Sequence, residues 1–228
     1  MVYFSLIIPA HNEENYLRQT LHSIKNQTFQ DFETIVVANG CTDRTEEIAK
    51  KRENDKIRLL SLPKANVSVA RNAGALNSQG QVLVFLDADT QLVQDSLQKI
   101  KDDFTEKHSV ATTKSQPDNK KLKYRLALGF KNLYTSTFYK GCSGALICRK
   151  KDFQKVNGYD PELVVKEHRK LILKLKKLGS YKCLDTAVIT SMRRLEKWGL
   201  LKSTSFWIKQ WAINYLGDLK KSEYEKVR

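Results

Sequence analysis

Along the first 90 residues, short continuous apolar runs alternate with stretches whose apolar residues recur at helical spacing. Tyr3 to Pro9, Phe32 to Val37, Ile57 to Leu62 and the run opening at Val82 read as strands buried on both faces, the pattern of a parallel sheet. Leu17, Leu21 and Ile24 mark one intervening helix, and Val67 to Asn77 another. Pro9 ends the first strand. Asn12 reads as the N-cap of the first helix, with Glu13 and Glu14 in its first turn, where the helix dipole favours acids. Gly40 allows the turn after the second strand, and Asp43 with Glu46 three residues on reads as a capping box. Four strands separated by helices predict a doubly wound parallel sheet with right-handed crossovers. No internal repeat and no Gly-x-Gly-x-x-Gly is present, which disfavours a dinucleotide fold.

The fourth run stops at Asp87-Ala88-Asp89. Ligands of parallel sheets bind at the carboxyl ends of the strands. In extended chain, residues i and i+2 point the same way, so Asp87 and Asp89 would face one ion. Such a pair suits Mg2+ or Mn2+, which share their remaining positions with substrate phosphates. The competing reading is a pair of caps past a strand.

Beyond residue 90 the pattern loosens. Gln94 to His108 reads as a helix with Leu97, Ile100 and Phe104 inward, and Val110 to Thr113 as an edge strand. Between Ser115 and Tyr139, Lys120, Lys121, Lys123, Arg125 and Lys131 interleave with Tyr124, Phe130, Tyr134, Phe138 and Tyr139. That mixture fits a surface helix with an aromatic inner face, a membrane interface, or a surface on which bases stack. Gly141 to Arg149 reads as a loop and strand, and Lys166 to Leu178 as a helix. From Leu200 to Leu216, Trp207, Trp211 and Tyr215 recur every four residues beside Ile208, Ala212 and Leu216, with Lys202 and Lys209 off the stripe. This is an amphipathic helix suited to a bilayer surface or to packing on the domain.

Composition adds charge. Lys and Arg number 40 against 25 acids, a net charge of +15, which implies an anionic partner. Cys41, Cys142, Cys148 and Cys183 are widely spaced, without Cys-x-x-Cys, and suggest free thiols in a reducing compartment. No basic leader and no apolar run long enough to cross a membrane is legible.

Four motifs then fall in order: Ser5-Leu-Ile-Ile-Pro-Ala-His-Asn-Glu-Glu14, Val36-Val-Ala-Asn-Gly-Cys-Thr-Asp-Arg-Thr45, Ala70-Arg-Asn-Ala-Gly74 and Phe85-Leu-Asp-Ala-Asp89. Together they resemble the nucleotide-binding half of family 2 glycosyltransferases. The resemblance implies an α/β GT-A fold, with a Rossmann-like, mostly parallel sheet flanked by helices. It divides the chain into a catalytic domain over 1–190, with a nucleotide-sugar half over 1–90 and an acceptor half over 91–190, and a helical extension over 191–228. By the same resemblance Pro9, Ala10 and Glu13 border the base and ribose, and Asn39 contacts the nucleoside. Arg71 lies near the diphosphate, with an ion pair to a carboxylate as its alternative. Asp87 contacts ribose or sugar beside Ala88, and Asp89 ligates the metal. Arg193 and Arg194 follow a strand, at positions where relatives hold donor phosphates or the acceptor.

The family's helix beginning Glu-Asp corresponds here to Glu167-His168, so the usual catalytic Asp is replaced by His. Either residue is a candidate base for an inverting transfer, in which a proton leaves the acceptor hydroxyl as it attacks the anomeric carbon. The implied activity is a metal-dependent hexosyltransferase moving a sugar from a nucleotide-diphosphate sugar to a polyprenyl phosphate or lipid-linked glycan. It would work in the cytoplasm, peripheral at the inner face of the cell membrane. The alternative is a non-catalytic nucleotide-sugar or lipid-phosphate binding protein with a degenerate base. Nucleic acid is the disfavoured partner.

Overall fold

β1 (Phe4–Ala10) is buried at every position and forms the spine of the sheet. Its Leu6 and Ile8 pack into one core with Leu17, Leu21 and Ile24 of α1 (Leu17–Lys25), while Ile7 faces the opposite side. This division follows from the two-residue period of a strand. A computed structural model describes the backbone of residues 2–163 and 165–216 and, beyond residue 199, the side chains of 202, 203, 205, 206 and 209 only.

β2 (Phe32–Asn39) and β3 (Ile57–Leu62) pair parallel to one side of β1, joined by α2 (Thr45–Lys50). α3 (Val67–Leu76) then returns the chain to β4 (Val82–Phe85), parallel to β1 on its other side. Strand order thus reverses at β1, and the crevice at such a switch point is where ligands of open α/β sheets bind. α3 lies close on β1: a Cβ added at Gly74 would sit 2.5 Å from Ile7 Cγ2. A side chain there would push the helix away.

The second half departs from simple alternation. β5 (Thr90–Leu92), α4 (Ser96–Asp103), β6 (His108–Pro117), α5 (Leu122–Leu133) with a π-helical turn at Tyr134–Tyr139, β7 (Leu146–Arg149), α6 (Lys150–Lys155), α7 (Glu167–Leu175) and β8 (Ser180–Thr190) follow. The sheet order is β3-β2-β1-β4-β7-β6-β8-β5, with β7 antiparallel to both neighbours and β5 antiparallel to β8. α8 (Arg193–Leu216) is helical on both sides of a break at Gly199, whose φ is +75°. Among the described residues no helix is long and apolar enough to cross a membrane.

Several expectations need correction. Asn12 does not cap α1, which begins five residues later; it sits at φ +55° and exchanges hydrogen bonds with Thr42. Glu13 and Glu14 lie in that loop, their N–H groups held by Thr45 Oγ1 and Asp43 Oδ2. Asp43 does cap, accepting from Thr45 N–H at 2.9 Å, but Glu46 accepts from Ser61 instead of closing a box. The predicted helix to His108 stops at Asp103, since β6 starts at His108. β6 is interior between β7 and β8, and no edge strand. It reads as polar because its hydroxyls are satisfied inside: Thr112 meets Tyr181 Oη, and Thr113 accepts from Ala145 N–H. The stripe at Trp207, Trp211 and Tyr215 lies outside the described side chains.

Candidate active site

Two arginines organise the crevice, each shared between carboxylates. The first, Arg71, projects from α3 and is almost wholly buried. It donates to Glu167 Oε1 at 2.7 Å and to Asp87 Oδ1 at 2.8 Å, and lies over the Tyr159 ring at 5.3 Å. The rest of its motif holds the approach to α7. Asn72 clamps Tyr159 through two backbone hydrogen bonds, Ser68 donates to Leu163, and Asn66 donates to Pro161. The stretch Asn66 to Asn72 therefore places Glu167 and His168 over the sheet. Arg71 thus makes the ion pairs named as the alternative to a diphosphate contact.

His168 Nδ1 lies 2.9 Å from the Tyr159 hydroxyl. Burial and the Arg71 charge lower His168 to about 4, so it is neutral near pH 7. Burial raises Tyr159 well above the usual phenol range, so it keeps its proton.

The second arginine, Arg193, reaches in from the start of α8. It makes a two-pronged contact to Glu13 (2.7 and 2.6 Å) and a single one to Asp89 Oδ2 at 3.0 Å, with Tyr16 stacked 4.5 Å beneath. The register Thr90↔Thr190 brings the chain after β8 alongside Asp89, and Ser191 N–H donates to the Asp89 carbonyl.

The two aspartates do not follow extended geometry. Thr90 N–H donates to the Asp87 carbonyl, folding 87–90 into a turn, and each carboxylate meets a different arginine. Their electrostatics diverge accordingly. Desolvation works to raise Asp87, but Arg71 and His168 outweigh it and hold it below the usual carboxylate range. Desolvation raises Asp89 to about 6, because Arg193 is largely engaged by Glu13 while Asp87 and Glu13 add like charge.

Pro9 and Ala10 end β1, buried beneath the crevice. Ala88 is buried, its carbonyl taken by Thr20. Asn39 Oδ1 accepts from Asn66 N–H at 2.8 Å, which ties β2 to the N-cap of α3. Arg194 lies over Trp198 at 5.0 Å, turned to α8 itself.

Two residues were missed in the sequence. Tyr159 carries no sequence signal of its own, standing in the short polar stretch Asn157-Gly-Tyr-Asp-Pro161. Lys131 was counted with the surface cations, yet its ammonium donates to Ser143 O at 3.0 Å within electrostatic reach of Asp87, Asp89 and Cys142. Its helical phase was the available signal, since it follows buried Tyr124 and Leu128 on one face. Cys142 is no nucleophile: burial pushes its thiol up to about 12.

The profile described as Glycosyl transferase family 2 matches residues 5–153, more than half of the chain. The chain belongs to glycosyl transferase family 2. This family 2 chain is 38% identical over 98 residues to glycosyltransferase GlyA of Streptococcus pneumoniae, a match covering 42% of this chain and 14% of that protein. It is 30% identical over 114 residues to the poly(ribitol-phosphate) beta-N-acetylglucosaminyltransferase TarS of Staphylococcus aureus, covering 48% of this chain and 20% of TarS. The crystal structure of TarS 1-349 in complex with UDP-GlcNAc superposes with a TM-score of 0.62 at 20% identity, over 82% of this chain and 56% of that one. That likeness carries the GT-A fold. The family 2 chain thus spans well under half the length of these two curated relatives.

Proposed function

We propose that this family 2 chain transfers a sugar, with inversion, from a uridine-diphosphate sugar to the hydroxyl or phosphate of a lipid-linked acceptor. The observation that carries the reading is the meeting of Asp89, Arg193, Glu13, Asp87 and Glu167 at the switch point of the sheet, with Asp89 left short of positive charge. The UDP-GlcNAc complex of TarS, a relative 30% identical over 114 residues, supports uridine as the nucleotide.

Among the described residues no three His, Cys, Asp or Glu side chains gather into a metal cage. A divalent ion in a nucleotide-sugar site does not need one, because one or two carboxylates and the substrate's phosphates suffice. Asp89 fits that part: its carboxylate is under-compensated, and its Oδ1 accepts a long hydrogen bond from the Thr90 hydroxyl at 3.3 Å. Asp89 would hold Mg2+ or Mn2+, with Asp87 nearby. The ion would supply charge neutralisation at the diphosphate leaving group. Arg193 and Lys131 add fixed positive charge there.

The proton of an acceptor hydroxyl goes to Glu167. We take the tautomer in which the neutral Tyr159 phenol donates to His168 Nδ1, which puts the imidazole proton on Nε2 and makes that nitrogen a donor. Glu167 commits one oxygen to Arg71 and keeps the other for the acceptor. As the C–O bond forms at the anomeric carbon, the bond to the diphosphate breaks, and Glu167 holds the released proton.

A donor screen by thermal shift tests the reading, because a ligand that binds the folded state raises Tm with RT ln(1 + [L]/Kd). A Mn2+-dependent shift with one UDP-sugar, absent in Asp89→Ala, is the expected result. A folded protein that no nucleotide-sugar stabilises would overturn it.

A further inference from the structure

α5 is apolar on two opposite faces. Tyr124 and Leu128 bury against Met192 and Leu195 at the start of α8. At about 100° per residue, Leu122, Leu126, Phe130 and Leu133 fall within about 80° of one another on the far side. These four and Phe138 of the π-helical turn are 60–78% exposed. Lone exposed apolar residues are ordinary, but a contiguous helical stripe of this kind marks an interaction surface. Charge selects the partner. From Asn119 to Lys151 the chain holds no acidic residue, and Lys120, Lys121, Lys123, Arg125 and Lys140 lie along or beside the stripe. A protein partner that matched the apolar stripe would also have to match this unbroken positive rim. An anionic bilayer satisfies both at once, taking aliphatic and aromatic side chains below the headgroups and lysines among the phosphates.

We infer that the outer face of α5, from Leu122 to Phe138, is a docking surface for an anionic membrane, which delivers a lipid-borne acceptor to the crevice. Lys131, on the opposite face of the same helix, turns toward the crevice: its ammonium donates to Ser143 O at 3.0 Å within electrostatic reach of Asp87 and Asp89, so α5 itself lies between the stripe and the crevice. A stacked column links the two: Phe130 on Tyr134, Tyr134 on Tyr139, and Tyr139 under Arg169, the residue after His168. The inference rests on the proposed lipid acceptor only for its purpose. Donor binding in solution and vesicle binding are separate readouts, and either can fail alone.

The test is co-sedimentation of the full chain with phosphatidylcholine vesicles and with mixed phosphatidylcholine–phosphatidylglycerol vesicles. The mixed vesicles should bind the protein, and salt should weaken binding. Leu126→Ser with Phe130→Ser should cut vesicle affinity roughly tenfold or more. Lys123→Glu with Arg125→Glu should do so on mixed vesicles. Both variants should keep the wild-type Tm and donor shift. Four results would overturn the inference. The first two are wild-type vesicle binding by the serine variant and no binding by the wild type. Another is a lower Tm of the serine variant without lipid, which means the chain's own C-terminal segment covers the stripe. The last is a wild-type dimer that the serine variant splits, which means a second copy does.

Discussion

Arg71 and Arg193 do the same thing on paper and different things in the crevice. Each joins two carboxylates. Arg71 gives one nitrogen to each of its partners, so Asp87 stays ionised and α7 is pinned to α3. Arg193 gives its two-pronged contact to Glu13 and only a single contact to Asp89, whose charge is left costly. An arginine that satisfies its partners is scaffold. On the proposed reading, the carboxylate that Arg193 leaves under-satisfied is where an incoming cation would sit.

The comparison can be broken most severely at Arg71. Arg71→Met leaves Glu167 buried without a counter-charge and should cost about 3 kcal/mol in urea unfolding, the low end for broken buried pairs because Asp87 is half exposed. A loss below about 0.5 kcal/mol would remove its scaffold role.

Asp89→Asn should do the reverse for stability. It removes a charge whose folded-state pKa is about 6 against an ordinary 3.8, and should stabilise the ligand-free protein by about 1–3 kcal/mol while removing metal-dependent donor binding. The sign shows in pH as well. Between about pH 4 and 6 the folded state keeps a proton that the unfolded chain has lost, so wild-type stability should fall as pH rises through that window. Asp89→Asn should flatten that fall. Equal slopes in urea titrations of the two proteins would contradict the assignment.

The remaining effects are smaller and sharpen the role of α7. With Glu167 as base, Glu167→Gln should lower kcat at least about a hundredfold, whereas His168→Gln, which keeps a donor, should lower it less than about tenfold. The opposite ranking would make His168 the base, and the acid limb of the pH–rate profile would then fall near 4, where its imidazole protonates. Tyr159→Phe removes one buried hydrogen bond and should cost about 1 kcal/mol of stability. A larger fall in kcat than in stability would confirm that it sets the His168 tautomer.

The first half of the fold was legible because its strands are continuous apolar runs, and β3 was found at its observed bounds. β6 was harder: a strand of Ser and Thr becomes interior only when hydroxyl partners from other elements are known, and those come from Tyr181 and Ala145. Periodicity near Asp103 did not show where α4 gives way to β6. Within the site, the motifs identified Arg71, Asp87, Asp89 and Glu13, but spacing does not say which arginine meets which acid. The two-residue alternation placed both aspartates on one ion, and the turn at 87–90 separated them. Lys131 and Tyr159 enter only through tertiary packing.

The Arg193–Glu13 contact joins residues 180 positions apart. Closing a loop of that length has an entropic cost that local helices and the β1–β2 pairing do not carry. This predicts that the crevice is completed late in folding, after most of the sheet has formed. Until then Asp89 lacks its cation, and donor binding can report the arrival of the final native contacts in refolding kinetics.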